Sequence, residues 1–221
     1  MKIAIVGAGT FGTAVSNALK YECNILLHSR NQGVVEEINS TRRNTQYFPN
    51  KILSEKIIAS CNDEDLLDAD VLFICIPSKF VVDFILNLQL KSSCLIVNGA
   101  KGFGRDSELI NECLRRYIPN RVVSLKGPSF ANEMIFEIPT SFTIASEDYR
   151  DFEFLSNLFR REVVLFDYFS DVSAVELLSI AKNIYAIIIG IVDAYYNSCN
   201  VRFLTFTKAV KEIKLILGLL G

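Results

Sequence analysis

The chain has 221 residues, half of them apolar and including 16 Phe and 8 Tyr, enough to bury a substantial core. The net charge is −2, and the doublets Arg42-Arg43, Arg115-Arg116 and Arg160-Arg161 stand apart from one another, which excludes the basic face that a nucleic-acid partner needs. Six cysteines (Cys23, Cys61, Cys75, Cys94, Cys113, Cys199) lack C-x-x-C spacing and histidine partners, so they read as free thiols of a reducing cytosol rather than as metal ligands.

A β-type apolar run opens almost at the initiator Met, which leaves no room for a secretory leader. It meets Gly7-Ala8-Gly9-Thr10-Phe11-Gly12, a G-x-G-x-x-G turn between a predicted strand and a predicted helix. Gly7 allows the tight turn, Gly9 lets backbone approach a pyrophosphate, and Gly12 lets the helix close on the strand. The free N–H groups at the start of that helix would hold the phosphates. Phe11, Val15, Ala18 and Leu19 form its expected apolar face. The second strand, Asn24 to His28, ends in Ser29-Arg30-Asn31 where a carboxylate would bind a free ribose 2′-hydroxyl. A hydroxyl and a guanidinium suit a 2′-phosphate, so the expected cofactor is NADP(H) in preference to NAD(H); the other reading makes Arg30 a solvated loop residue.

Strands and helices then alternate. A helix is expected over Gly33 to Ser40, a short strand at Ile57 to Ala59, and a strand at Val71 to Ile76 whose unbroken apolar run suits burial on both faces. Pro77-Ser78 opens the next helix, and Cys94 to Val97 is another buried strand leading into Asn98-Gly99-Ala100-Lys101-Gly102. A helix at Ser107 to Tyr117, strands at Val122 to Leu125, Ser141 to Ile144 and Val163 to Phe166, and a helix at Tyr149 to Arg160 complete an α/β fold, a doubly wound and mostly parallel sheet of Rossmann type. Beyond Ser170 the pattern is helical only. We therefore expect a dinucleotide-binding domain over 1–170 and the start of an all-α substrate domain over 171–221. The longest apolar run, Ile184 to Val192, is too short to span a bilayer, and a soluble cytoplasmic protein is expected.

The lone histidine, His28, falls at the adenosine end and is a poor candidate for proton transfer at a nicotinamide. Lysine is the next candidate. Lys182 and Glu176 are the only charges between Val175 and Val192, so Lys182 is either a desolvated amine with a depressed pKa or a snorkelling one. Lys101 follows a buried strand at its carboxyl end, where ligands sit in open α/β sheets, or is a solvated loop charge. Ser129, in Gly127-Pro128-Ser129, could bind substrate or cap a helix.

Taken together, Gly7 to Ala14, Pro77-Ser78, Lys101-Gly102, Gly127-Pro128-Ser129-Phe130-Ala131-Asn132-Glu133, Pro139-Thr140 and Ala181-Lys182-Asn183-Ile184-Tyr185 resemble the NAD(P)-dependent glycerol-3-phosphate dehydrogenases, in order along the whole chain. The resemblance implies reduction of dihydroxyacetone phosphate to sn-glycerol 3-phosphate for phospholipid synthesis. It implies Lys182 as proton donor, with Lys101 touching cofactor and substrate. Gly127, Ser129 and Asn183 would meet the substrate, and Gly7, Gly9, Thr10, Phe11, Gly12, Arg30, Pro77 and Ala131 the cofactor. Departures from the family pattern are Ala194 to Asn200 in place of a glycine-rich stretch, Lys208-Ala209 in place of Arg-Gly, and no match to the family's later Gly-Asp-Leu and Arg-Asn segments. The expectation is a divergent, C-terminally short member with a weakened phosphate grip and a raised KM, self-associating as a homo-oligomer through its apolar helices. Two other readings stand beside it: a lysine-dependent dehydrogenase of another hydroxy acid or sugar phosphate, and a catalytically impaired dinucleotide-binding remnant.

Overall fold

The computed structural model describes residues 1–19 and 24–220; Cys23 lies outside them. Eight strands form one sheet: β1 (Lys2–Val6), β2 (Asn24–His28), β3 (Ile57–Ser60), β4 (Val71–Ile74), β5 (Leu95–Asn98), β6 (Val122–Lys126), β7 (Thr140–Ala145) and β8 (Val164–Phe169). Their order is β3-β2-β1-β4-β5-β6-β7-β8, and every neighbouring pair is parallel except β6 and β7. The chain winds outward from β1 to β3, then returns across the sheet to β4 on the other side of β1. That reversal opens a crevice at the carboxyl ends of β1 and β4.

Alternate residues feed two separate cores, as a sheet covered on both faces requires. Ile3 and Ile5 of β1 join Leu27, Phe73 and Val97 on one face. Ala4 and Val6 join Leu72, Ile74 and Ile96 on the other. Burying a side chain such as Phe73, 1% exposed, contributes about 2–3 kcal/mol relative to leaving it in water.

The helices are α1 (Thr10–Ala18), α2 (Gln32–Thr41), α3 (Val81–Leu86), α4 (Ile110–Tyr117), α5 (Ala131–Met134), α6 (Tyr149–Ser156), α7 (Val172–Tyr196) and α8 (Cys199–Leu220). Three differ from expectation. Helix α1 is not amphipathic: Thr13, Ser16 and Asn17 are buried along with its apolar residues, because the loop after α2 and the short α5 cover its outer side. Asn44 makes that cover specific, donating to Thr13 Oγ1 at 2.9 Å. Helix α4 starts at Ile110 rather than Ser107, since Asp106 and Ser107 adopt positive φ of 50° and 63°, which breaks a right-handed helix. Helix α6 stops at Ser156, and Arg160 instead serves the end of α1, its N–H donating to Ala18 O at 3.1 Å and its guanidinium to Asn17 O at 2.9 Å.

Helix α7 begins docked on the sheet. Asp171 caps it, accepting from Ala174 N at 2.9 Å, and Val172, Val175, Glu176 and Ile180 are buried. Past Ala181 its neighbour is α8, joined to it by Tyr185 Oη donating to Glu212 Oε2 at 2.6 Å and Arg202 Nε donating to Asp193 at 2.7 Å. Ile187, Ile191, Phe203 and Leu219 remain exposed. The nine-residue apolar run thus lies inside a 25-residue helix that, by length and composition alone, could cross a membrane; its first turns are nonetheless anchored within the protein.

A Cβ on Gly12 would overlap the carbonyl oxygen of Gly7 and stand 3.2 Å from Cys75 Cβ. We predict that Gly12→Ala lowers stability by about 1–3 kcal/mol, the usual cost of overpacking, read as a fall in the urea midpoint with unchanged slope.

Candidate functional site

The glycine turn leaves β1 at the crevice. Gly7 has φ +107°, and a Cβ there would lie 2.6 Å from Cys75 O, so β4 and the turn are in backbone contact. A Cβ on Gly9 would meet nothing within 4 Å, so its surroundings are open for a ligand rather than filled by protein. Gly9 also N-caps α1 without any side-chain bond, leaving the first N–H groups of the helix free. Asn44 donates to Ala8 O at 3.0 Å and braces the turn from outside. This open cradle of free N–H donors fits the pyrophosphate of a dinucleotide.

Two cavities flank the turn and share Gly7, Gly9, Tyr47, Ile76 and Pro77. The first, about 440 Å³, is lined by His28, Ser29, Arg30, Phe80 and Phe84. His28 is buried, with Nε2 2.9 Å from Asp63 Oδ1, so it is a wall of this cavity rather than a surface residue. The Arg30 guanidinium lies 5.7 Å from the Phe80 ring centre and is otherwise exposed, available to an anionic group at the ribose end. The second cavity, about 660 Å³, is lined by Thr10, Phe11, Lys101, Ser129, Phe130 and Ala131. Gly12 lies beneath the turn, not in either wall.

Lys182 comes from α7, with Nζ 5.9 Å from the Phe130 ring centre at the mouth of the second cavity. The structure corrects one expectation: Lys182 is exposed, because α7 leaves the sheet one residue after Ile180, so no wall of apolar side chains desolvates it. Partial desolvation, and then the Lys182 charge, lower the pKa of Lys101. Lys101 lines the second cavity, and Lys182 approaches it from α7 over the Phe130 ring, outside the lining itself. Asn183 is exposed on α7, and neither it nor Gly127 lines the cavity. The capping role for Ser129 is not realised: α5 is N-capped by Phe130, with no side-chain bond, while Ser129 lines the cavity.

Beneath the Lys101 turn lies a buried network that the sequence reading passed over. The Lys126 ammonium, 4% exposed, donates to Asn98 O at 3.1 Å and Ala100 O at 2.6 Å and sits 3.9 Å from Glu176 Oε1. Glu176 accepts from the Asn98 amide and, at 3.1 Å, from Asn111 N. Burial drives both groups toward neutrality, Lys126 down to about 8 and Glu176 upward. Burial also pushes the Cys75 thiol on the crevice floor up to about 12. Tyr47, which bridges the two cavities, gave no signal in the sequence. Lys126 did give one: it ends an apolar strand, yet it read as part of the turn that follows. Among the described cysteines none is paired, with Cys94 and Cys113 buried and Cys199 exposed.

Comparison with known proteins agrees with this geometry. The model of the NAD-dependent glycerol-3-phosphate dehydrogenase N-terminus matches residues 2–151, and that of the C-terminus matches 171–221. Glycerol-3-phosphate dehydrogenase [NAD(P)+] of Orientia tsutsugamushi is 33% identical over 220 residues, covering 96% of this chain and 66% of that protein. The enzyme of the same name from Methanothermobacter thermautotrophicus is 30% identical, covering 100% of this chain and 70% of that protein. The crystal structure of glycerol-3-phosphate dehydrogenase from Coxiella burnetii superposes with a TM-score of 0.93 at 27% identity, over all of this chain and 69% of that one. The chain thus spans about two thirds of the length of these relatives, and it belongs to the NAD-dependent glycerol-3-phosphate dehydrogenase family.

Proposed function

We propose that the chain reduces dihydroxyacetone phosphate to sn-glycerol 3-phosphate in the cytoplasm, preferring NADPH and accepting NADH. The observation that carries this reading is the approach of two lysines to the cavity beside the glycine turn: Lys101 lines it, and Lys182 Nζ stands 5.9 Å from the ring centre of Phe130, which also lines it. When bound, the reduced nicotinamide supplies a hydride to the ketone carbon. Lys182 gives its ammonium proton to the ketone oxygen as that oxygen gains charge, and solvent at its exposed position restores the proton. Lys101 polarises the same oxygen and touches both ligands, while the paired positive charges attract the phosphate dianion. Ser129, in the wall of that cavity, meets the substrate, whereas Gly127 and Asn183 lie outside the wall.

On the cofactor side, Gly7, Gly9, Thr10, Phe11, Pro77 and Ala131 line its path, with Gly12 closing the helix beneath. Arg30 takes the 2′-phosphate, supported by its open position over Phe80. The division of labour is a dinucleotide domain at 1–170 and a helical substrate part at 171–221. The exposed apolar residues of α7 and α8, Ile187, Ile191, Phe203 and Leu219 among them, support association of copies into a homo-oligomer.

Lys182→Ala should cut kcat by about 100-fold or more, as loss of a general acid does, with the NADPH Kd within a few-fold of the parent. Following NADPH absorbance with a panel of ketones tests the substrate too. A better substrate than dihydroxyacetone phosphate would favour a different hydroxy acid or sugar phosphate, and nucleotide-induced thermal stabilisation with no turnover would leave only a binding remnant. Arg30→Ala should weaken NADPH about 10-fold or more, the worth of a charged hydrogen bond, and NADH about 2-fold or less, measured by fluorescence titration.

A further inference from the structure

Two lysines supplied by different parts of the chain must be held at one separation if they are to act on one oxygen. Lys101 rides on the turn after β5, and Lys182 rides on α7. The exposed parts of those elements do not fix the distance, since Lys101 and Lys182 have like charge and solvent on one side. The buried network below them reaches both. Lys126, at the end of β6, donates to the carbonyls of Asn98 and Ala100, the two residues that frame Gly99 just before Lys101. Its carboxylate partner, Glu176, sits on α7 six residues before Lys182. The same carboxylate accepts from Asn98 Nδ2, and the Oδ1 of that amide accepts from Ala100 N at 3.0 Å. The start of the Lys101 turn, at Asn98 and Ala100, is thus tied to α7 through Lys126 and Glu176.

We infer that Lys126 is a positioning residue for the reaction proposed above: held between the Asn98 and Ala100 carbonyls and Glu176, it locks the turn carrying Lys101 to the helix carrying Lys182. This rests on that proposed reaction for its consequence in turnover, but the locking itself is a property of the fold. Stability alone does not account for it. A buried ion pair replaced by uncharged groups of similar size usually leaves a protein as stable or more so, whereas removing one partner strands a charge. Lys126 touches neither cavity, so it acts on the chemistry from behind, through the turn it holds and through the repulsion between its charge and that of Lys101.

Those two costs can be separated with Lys126→Met and with the double variant Lys126→Met/Glu176→Gln, which leaves no lone charge. The single variant should lose thermal stability, and the double variant should regain most of it. In both, kcat with dihydroxyacetone phosphate should stay down about 10-fold or more, the scale of a small misplacement of a catalytic group, while the NADPH Kd stays within about threefold. Amide hydrogen exchange should quicken by about tenfold or more at residues 98–102 in both variants and stay unchanged at the glycine turn, residues 7–12. Return of kcat to the parent value in the double variant would reduce Lys126 to a structural partner and overturn the inference, as would unchanged exchange at 98–102. Should the parent chain itself fail to turn over, the proposed reaction falls while the exchange measurement alone decides the lock.

Discussion

The backbone of the glycine turn has no room to spare. Gly12 lies against the Gly7 carbonyl, and Gly7 in turn lies against the Cys75 carbonyl, so α1, β1 and the end of β4 are pressed together without side chains between them. That contact sets the height of α1 over the sheet and so aims its free N–H groups into the crevice. It also fixes where Ile76 and Pro77 stand, two of the residues shared by the two cavities. Asn44 reinforces it from outside through Ala8 O and Thr13 Oγ1. The reversal of strand order between β1 and β4 creates the crevice, and this close packing gives it a floor.

What was legible in the sequence follows the range of the forces involved. All eight strands stand near their expected positions, because each is a short, mainly apolar run flanked by turn residues. In the central β1, β4, β5 and β6 burial on both faces removes polar alternation, while the edge strands β3 and β8 alternate. The ends of α4 and α6 were misplaced because they are decided by distant partners: positive φ at Asp106 and Ser107 in one case, the carbonyls of α1 that Arg160 serves in the other. Burial of a single charge proved the least legible property. Lys182 sits in an apolar stretch and is exposed, whereas Lys126 looks like a turn residue and is almost completely enclosed. Whether a residue is wet depends on which elements pack around it, and a local apolar pattern carries no record of that.

The site consequently places its lysines in two environments. Lys101 and Lys182 stand at the mouth, where water can exchange protons with them and where their mutual repulsion is moderated. Lys126 stands in the dry interior, where its hydrogen bonds to two carbonyls and its ion partner are worth more and tolerate less displacement. In the proposed reaction the two wet amines would serve transfer, and the dry one beneath them would hold the turn in place.

Cys75 lies half-buried on the floor of the second cavity, where burial pushes its thiol upward. A sulfur whose proton is held until about pH 12 offers almost no thiolate in a cell. Peroxide, glutathione disulfide and soft electrophiles consume thiolates, so this sulfur should be spared while the exposed Cys199 reacts first. Desolvation at the crevice floor thus disfavours thiolate chemistry at Cys75, although that sulfur lies in a cavity wall.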